Sequence, residues 1–202
     1  MNKEFTPRCE DDDDDDEGLA LGAGDVKVHK NHVYFYSQVT QSTILNLNLT
    51  LLRVAQSLVV SSALNPETRL PIILHVNSYG GEVYSGMSCV DTLRSLPVEV
   101  HTLVDGVAAS ASAGIVIAGK KRYIRPHGYM MIHQLSSGCM GTHEEFKDEI
   151  ANQESLMKMI KDFYLDHTKI KPEELSGLLK RNLFFNAEQC IEMGLVDELW
   201  NQ

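Results

Sequence analysis

The sequence predicts an α/β fold, because short apolar segments typical of strands alternate with longer segments of helical periodicity. The apolar run at residues 72–76 has the pattern of a strand that is covered on both faces. Strand, helix, strand and helix in succession indicate a right-handed crossover architecture. At 202 residues the chain is long enough for one domain with a well-buried core and too short for two.

The first half of the chain is predicted to contain five elements. They are strands at 26–29 and 33–36, a helix from about 44 to 64, a strand at 72–76 and a helix from about 83 to 96. Ser42 and Thr43 are the candidate caps of the first helix, which Asn65-Pro66 ends. Pro97 stops the second helix.

The second half predicts further strands and helices. They are a strand at 98–104, a helix at 109–118, a strand at 129–133, a helix of roughly 25 residues to about 167, a helix at 172–180, a helix from 187 to 194 and a strand at 195–199. Thr142-His143-Glu144-Glu145 fits a capping box that opens the long helix, and Asn186 caps the last helix.

The acidic character of the chain belongs to its first residues. The formal net charge is -10, and the run from Glu10 to Glu17 supplies eight negative charges, which leaves about -2 for the rest. Such a run cannot bury enough apolar surface to offset its ordering entropy. We therefore expect residues 1–24 to be a disordered, solubilising tail, with docking to a basic partner or weak cation binding as the alternative. Residues 25–202 are expected to form the folded domain.

Several function classes receive no support from the sequence. No apolar stretch reaches the ~18–20 residues that span a bilayer, and the first residues lack the pattern of a signal peptide, so a cytoplasmic location is expected. The four cysteines form no C-x-x-C pair, which argues against a disulfide framework or a zinc site. We expect no metal, no cofactor, and neither a nucleic acid nor a membrane as partner.

Three segments carry candidate catalytic groups. Ser110 lies among alanines, where small side chains let backbone and substrate approach, and His133 closes a short apolar segment. These two residue types suggest a nucleophile and its base. Gly80 and Gly81 lie between a buried strand and a helix, where glycines can leave backbone N–H groups free to face an oxyanion.

With these residues in place, the chain resembles the proteolytic subunits of the Clp protease, a family of serine peptidases. The family pattern of N-S-P-G-G, G-x-A-A-S-x-G-A, M-I-H-Q and A-x-E-A-x-x-x-G-L-[IV]-D has four counterparts here in the same order, between about Val26 and Leu199. The resemblance implies a repeated β-β-α superhelix of the crotonase-like type, with a protruding helical handle at about 135–167. It also implies stacked seven-membered rings of identical subunits, fed by an AAA+ unfoldase on a separate chain.

The resemblance assigns roles to individual residues. It makes Ser110 the nucleophile and His133 the base, and it gives the oxyanion to the N–H groups of Gly81 and Ala111. Backbone at Gly80, Leu135 and Ser136 would pair with an extended substrate.

The family's orienting aspartate is replaced by Asn182, whose carbonyl can still accept the histidine N–H but brings no charge. Ser112 occupies the place of a family glycine and is interpreted as a packing residue. Cys139 as nucleophile is the alternative to Ser110. Such departures suggest a divergent branch, for example a viral, plastid or second bacterial copy, with the plastid stroma or an infected host cytoplasm as alternative locations.

Three functions follow from these residues. The first is a serine endopeptidase that cleaves unfolded polypeptides inside a ring, without hydrolysing ATP itself, since the chain has no G-x-x-x-x-G-K-[ST]. The second is a structural or regulatory subunit of a mixed ring with weak or no activity, which Asn182 favours. The third is an acyl-CoA enzyme of the crotonase type, a chemistry in which the Ser110 and His133 pair has no use.

Overall fold

The computed structural model describes residues 26–65 and 70–201, which form a mixed sheet flanked by helices. The acidic tail predicted for residues 1–24 lies outside these residues. In chain order the elements are β1 (Val26–His29), β2 (His32–Phe35), α1 (Gln41–Leu64), β3 (Ile72–Ser78), α2 (Val83–Ser95), β4 (Val100–Ala109), α3 (Ala111–Ile117), β5 (Lys121–Ile124), β6 (Tyr129–Met131), α4 (His143–His167), α5 (Pro172–Leu179), β7 (Phe184–Asn186), α6 (Ala187–Glu192) and β8 (Glu198–Leu199).

The sheet confirms the predicted α/β class. Its main path runs β1-β2-β3-β4-β5-β8, with β1 antiparallel to β2 and every later neighbour on that path parallel. β6 lies off this path, parallel to β4 and antiparallel to β7. The inner strand β3 is buried at its first five positions, as its continuous apolar pattern predicts. The superhelical repeat and the handle stay predictions.

A bend in β4 carries the chain towards the candidate site. The first half of β4 pairs with β5 and its last residues, Val107–Ala109, pair with β6. Between them Gly106 has a φ of 116°, a conformation that favours glycine, and a Cβ there would lie 3.0 Å from the Asn77 side chain. Asn77 Oδ1 accepts a hydrogen bond from the Val107 N–H at 3.3 Å. The strand therefore changes partner at Gly106.

This pairing corrects two predicted boundaries. The strand expected at 98–104 continues to Ala109, and the helix expected at 109–118 is the shorter α3, Ala111–Ile117. Alanine favours a helix, but tertiary pairing with β6 overrides that local preference.

Other boundaries also differ from the sequence expectation. Ser42 does not cap α1: its N-cap is Thr40, whose side chain accepts the N–H of Thr43 in a capping box. Strands β5 and β7 were not predicted, because one begins with two basic residues and the other has three residues. The last strand is limited to Glu198–Leu199, since Leu195 and Val196 turn back to bond the Cys190 carbonyl.

Helix α1 changes the expectation that no apolar stretch is long enough to span a bilayer. Among the described residues it is the one helix long and apolar enough to cross a membrane, judged by length and composition. The core helix of a globular domain passes the same test. One face of α1 packs into the core through residues that include Ile44, Leu47 and Leu51, which explains the apolar composition of that face.

A polar cluster joins three neighbouring strands on the sheet. His75 in β3 is 3 % exposed, and its Nδ1 lies 2.9 Å from Asp105 Oδ2 in β4, while its Nε2 lies 2.9 Å from His32 Nδ1 in β2. Tyr36 donates its O–H to the same carboxylate at 2.7 Å, and Arg125 Nε contacts its other oxygen at 3.3 Å. Burial would raise the pKa of Asp105, but these donors hold that pKa below its usual value.

Replacing Asp105 with asparagine is therefore expected to destabilise the fold. The substitution removes the charge that His75, Tyr36 and Arg125 share, which should lower the free energy of unfolding by about 1–3 kcal/mol. Urea denaturation followed by circular dichroism measures the effect. Asp166→Asn, at an exposed position of α4, is the matched control. Equal stability of the two variants would show that the cluster does not stabilise the sheet.

Candidate active site

Ser110 lies between β4 and α3 in a strained backbone conformation. Its φ is 58° and its ψ is -126°, a region that side chains other than glycine rarely adopt. The Ser110 N–H donates to the Met131 carbonyl at 2.8 Å, which extends the β4–β6 pairing by one residue. Non-glycine residues in such conformations cluster at functional sites. The turn places a serine hydroxyl at the carboxyl end of a central strand.

His133 lies within hydrogen-bond distance of this hydroxyl. Its Nε2 is 2.7 Å from Ser110 Oγ, so the serine O–H donates to the ring when Nε2 is unprotonated. Burial lowers the pKa of His133 from its usual 6.5, which favours the neutral imidazole. The structure thus brings together the two residues that the sequence predicts as nucleophile and base.

Asn182, the third member of the predicted constellation, does not contact His133 in this structure. The antiparallel pairs of β6 and β7 are Tyr129 with Asn186 and Met131 with Phe184. That pairing ends at Met131 and Phe184, and beyond it the Gln134 N–H donates to the Leu179 carbonyl at 2.7 Å, two residues out of the same register. The Asn182 side chain is exposed, however, and no hydrogen bond within the described residues joins it to His133. The structure therefore does not join the third member of the predicted constellation to His133, and the orienting role of Asn182 stays a prediction.

Two backbone N–H groups are available to an oxyanion. Val39 donates to the Gly80 carbonyl and accepts from the Glu82 N–H, so the N–H of Gly81, between them, points away from Val39. Ala111 is the first residue of α3, and its N–H has no intrahelical acceptor. Within the described residues neither N–H is hydrogen-bonded, and both Gly81 and Ala111 line the cleft beside Ser110. This arrangement agrees with the predicted oxyanion hole.

Gly80 has a different place from the one predicted. It does not line the cleft, and its carbonyl bonds the Val39 N–H at 2.8 Å. A Cβ at this position would lie 2.8 Å from the Ser110 Cβ. The substrate-binding role that the resemblance assigns to Gly80 stays a prediction, since no substrate contact is seen and its carbonyl contacts the fold. Its small size instead lets β3 pack directly behind the serine.

The cleft at Ser110 has a volume of about 290 Å³. Leu135 and Ser136, both predicted to bind substrate, line it, although the Leu135 N–H donates to Met157 Sδ at 3.1 Å. Its inner wall comes from α2, α3 and the end of α4, through Val83, Met87, Gly114, Ile160, Phe163 and Tyr164. Helical spacing predicts helices at these positions, and nothing in that spacing separates a cleft wall from a core.

Ser112 and Cys139, the other side chains considered as nucleophiles, do not line the cleft. Ser112 is fully buried: its hydroxyl accepts the Ala109 N–H at 2.9 Å and lies 2.8 Å from the Ser78 carbonyl. It ties the ends of β3 and β4 together, which agrees with its interpretation as a packing residue. Cys139 is exposed and does not line the cleft. The geometry favours Ser110.

The pairing with His133 predicts how the reactivity of Ser110 depends on pH. A general base must be neutral, so the rate at which a fluorophosphonate inactivates the protein should fall as pH drops through the pKa of His133. Because burial lowers that pKa, the midpoint should lie below 6.5. Inactivation rates measured between about pH 5 and pH 8 test this expectation. A rate that stays constant across the range would exclude His133 as the base.

Comparisons with known proteins agree with this geometry. The model of the Clp protease family matches residues 28–202. The chain is 36% identical over 149 residues to the ATP-dependent Clp protease proteolytic subunit 3 of Streptomyces coelicolor, covering 73% of this chain and 68% of that protein. It is 32% identical over 151 residues to the ATP-dependent Clp protease proteolytic subunit of Deinococcus radiodurans, covering 74% and 72% respectively.

Proposed function

Because the chain belongs to the Clp protease family as a divergent member, we propose that it is a serine endopeptidase that cleaves unfolded polypeptides through Ser110 and His133. The observation that carries this proposal is the 2.7 Å contact between Ser110 Oγ and His133 Nε2 at the mouth of a cleft. Neither Ser112 nor Cys139 offers a comparable pairing. The family supplies the class of reaction, and the contact supplies the residues.

The geometry supports a two-step acyl transfer. His133 Nε2 takes the proton of Ser110 as the serine oxygen attacks the substrate carbonyl carbon. The N–H groups of Gly81 and Ala111 stabilise the resulting oxyanion. When the tetrahedral intermediate collapses, His133 gives the proton to the leaving amine and an acyl-enzyme forms. Water, deprotonated by His133, then attacks the acyl carbonyl, and the second tetrahedral intermediate collapses to the carboxylic acid product as His133 returns the proton to the Ser110 oxygen.

A second candidate function is a regulatory subunit with weak or no activity. The observation that favours it is the state of Asn182, which is exposed and makes no hydrogen bond with His133. Asparagine also brings no negative charge to stabilise the imidazolium that forms during attack. In this role the chain would complete a mixed ring in which another subunit performs the cleavage.

We further propose that the chain works in stacked heptameric rings of identical subunits with a separate AAA+ unfoldase. The names of the two relatives include the words ATP-dependent, while this chain has no phosphate-binding G-x-x-x-x-G-K-[ST] segment. The first four turns of α4 are almost wholly exposed, and they carry Phe146 and Ile150, which are 44 % and 57 % exposed. Such apolar residues on an extended helix suit an interface between subunits.

Incubation of the full-length protein with casein, an unfolded polypeptide, tests the proposal. We expect peptide fragments by mass spectrometry when the protein sediments as a ring assembly, and none from a tightly folded protein under the same conditions. Ser110→Ala is the matched control. An assembled protein that leaves casein intact at every ratio, alone and with an unfoldase, would favour the regulatory subunit.

A further inference from the structure

The inner wall of the cleft, formed by α2, α3 and the end of α4, contains one polar side chain among apolar residues. Tyr164 is 5 % exposed and lies on the last turns of α4, beside Ile160 and Phe163. Gly114 on α3 faces this wall, and a Cβ there would lie 3.5 Å from Met87 Cε. The absence of a side chain at Gly114 leaves space between Ser110 and the end of α4.

The Tyr164 hydroxyl has no hydrogen-bond partner among the described residues. Its side chain takes part in no hydrogen bond, although its backbone carbonyl accepts from Thr168. The buried side-chain atoms that lack both a partner and solvent contact are Asn48 Oδ1, Thr50 Oγ1 and His101 Nε2. The Tyr164 hydroxyl is not among them, so it keeps some solvent contact, and Tyr164 is one of the residues that line the cleft. A buried hydroxyl without a partner is a site for a complementary group.

The lack of charged side chains among the lining residues indicates which kind of substrate group the Tyr164 hydroxyl would bind. Its fifteen lining residues include no aspartate, glutamate, lysine or arginine. Burial raises the pKa of Tyr164, so the phenol stays neutral and can both donate and accept a hydrogen bond. A charged substrate side chain would lose its hydration here without meeting a counter-ion. An uncharged substrate side chain with a polar end would avoid this loss of hydration and could hydrogen-bond the Tyr164 hydroxyl.

We propose that Tyr164 is a specificity-determining residue that selects the scissile residue, meaning the substrate residue whose carbonyl Ser110 attacks. The favoured class is unbranched and uncharged with a hydrogen-bonding end, of which glutamine is the representative. Its methylene groups lie against Met87, Ile160 and Phe163, and its terminal amide pairs with the Tyr164 hydroxyl. This inference rests on the proposed function, because it requires Ser110 to attack a polypeptide.

The test compares matched peptides with glutamine or norleucine as the scissile residue. Affinities are measured by fluorescence anisotropy for the full-length Ser110→Ala protein, with and without Tyr164→Phe, which removes only the hydroxyl. We expect the ratio of glutamine to norleucine affinity to fall about tenfold in the Tyr164→Phe protein. Tyr84→Phe is the control, since Tyr84 is 72 % exposed and does not line the cleft.

Measuring binding and cleavage separately distinguishes a failure of this inference from a failure of the proposed function. Selectivity that depends on Tyr164, without hydrolysis of the same peptides by the Ser110 protein, would overturn the peptidase and keep the subsite. An unchanged ratio in Tyr164→Phe, or no binding of either peptide, would overturn the subsite. If Tyr164→Phe unfolds, glutamine and norleucine are compared in the Ser110→Ala protein alone, where weaker binding of glutamine than of norleucine overturns the proposal.

Discussion

Replacing Ser110 with alanine is expected to abolish peptide hydrolysis, with a loss of about 10⁴-fold or more in kcat. The substitution removes the oxygen that lies 2.7 Å from His133 and leaves no other hydroxyl or thiol in its place. Initial rates on a short fluorogenic peptide measure the effect. Because the neighbouring residues are alanines, Ser110→Ala should fold and assemble as the unaltered chain does.

Two controls make this result specific. Cys139→Ala should leave the rate unchanged, since that thiol is exposed and lies outside the cleft. Sedimentation should show the same assembly for both variants. Retained activity in Ser110→Ala, with activity lost in Cys139→Ala, would reverse the assignment of the nucleophile.

Replacing Asn182 with aspartate is expected to raise kcat by tenfold or more. By its resemblance to the family, position 182 is expected to be that of the orienting aspartate, where a carboxylate would accept the histidine N–H and stabilise the imidazolium. Each 1.36 kcal/mol of transition-state stabilisation is a factor of ten in rate. Hydrolysis of the same fluorogenic peptide by both proteins, at equal degrees of assembly, measures the gain.

Asn186→Asp is the matched control for this gain. Asn186 caps α6 on the same segment, and its side chain bonds the Gln189 N–H rather than any group in the cleft. The Asn186→Asp substitution should leave kcat unchanged, because aspartate is an equally good helix N-cap. If Asn182→Asp gives no gain although it assembles, position 182 does not orient His133, and the regulatory subunit becomes the better account.

The residues that carry the chemistry could be predicted because their signals are local. A serine among alanines, a histidine after a short apolar strand and a glycine pair before a helix are all legible within a few residues. The capping box at Thr142 and the cap at Asn186 were predicted for the same reason, and the structure contains both. The resemblance of four such segments, in the same order, to the Clp protease family then predicted that Ser110 and His133 meet.

The features that could not be predicted depend on contacts between residues that are far apart in the sequence. The change of partner at Gly106, which extends β4 to Ala109, arises from β6, some twenty residues later. The role of Gly80 as packing behind Ser110 requires the path of Val39. The Tyr164 hydroxyl also required the fold, since helical periodicity does not show whether a position faces a core or a cleft.

The central claim is that Ser110 is an activated nucleophile paired with His133. Labelling of the full-length protein with a fluorophosphonate probe, followed by digestion and mass spectrometry, tests it most directly, because the probe reports activation of the serine without depending on an unfoldase or a particular substrate. The account predicts one label per chain, on Ser110, which is lost in His133→Ala although Ser110 is still present. A label on any other residue, or no label on a properly assembled protein, would contradict it.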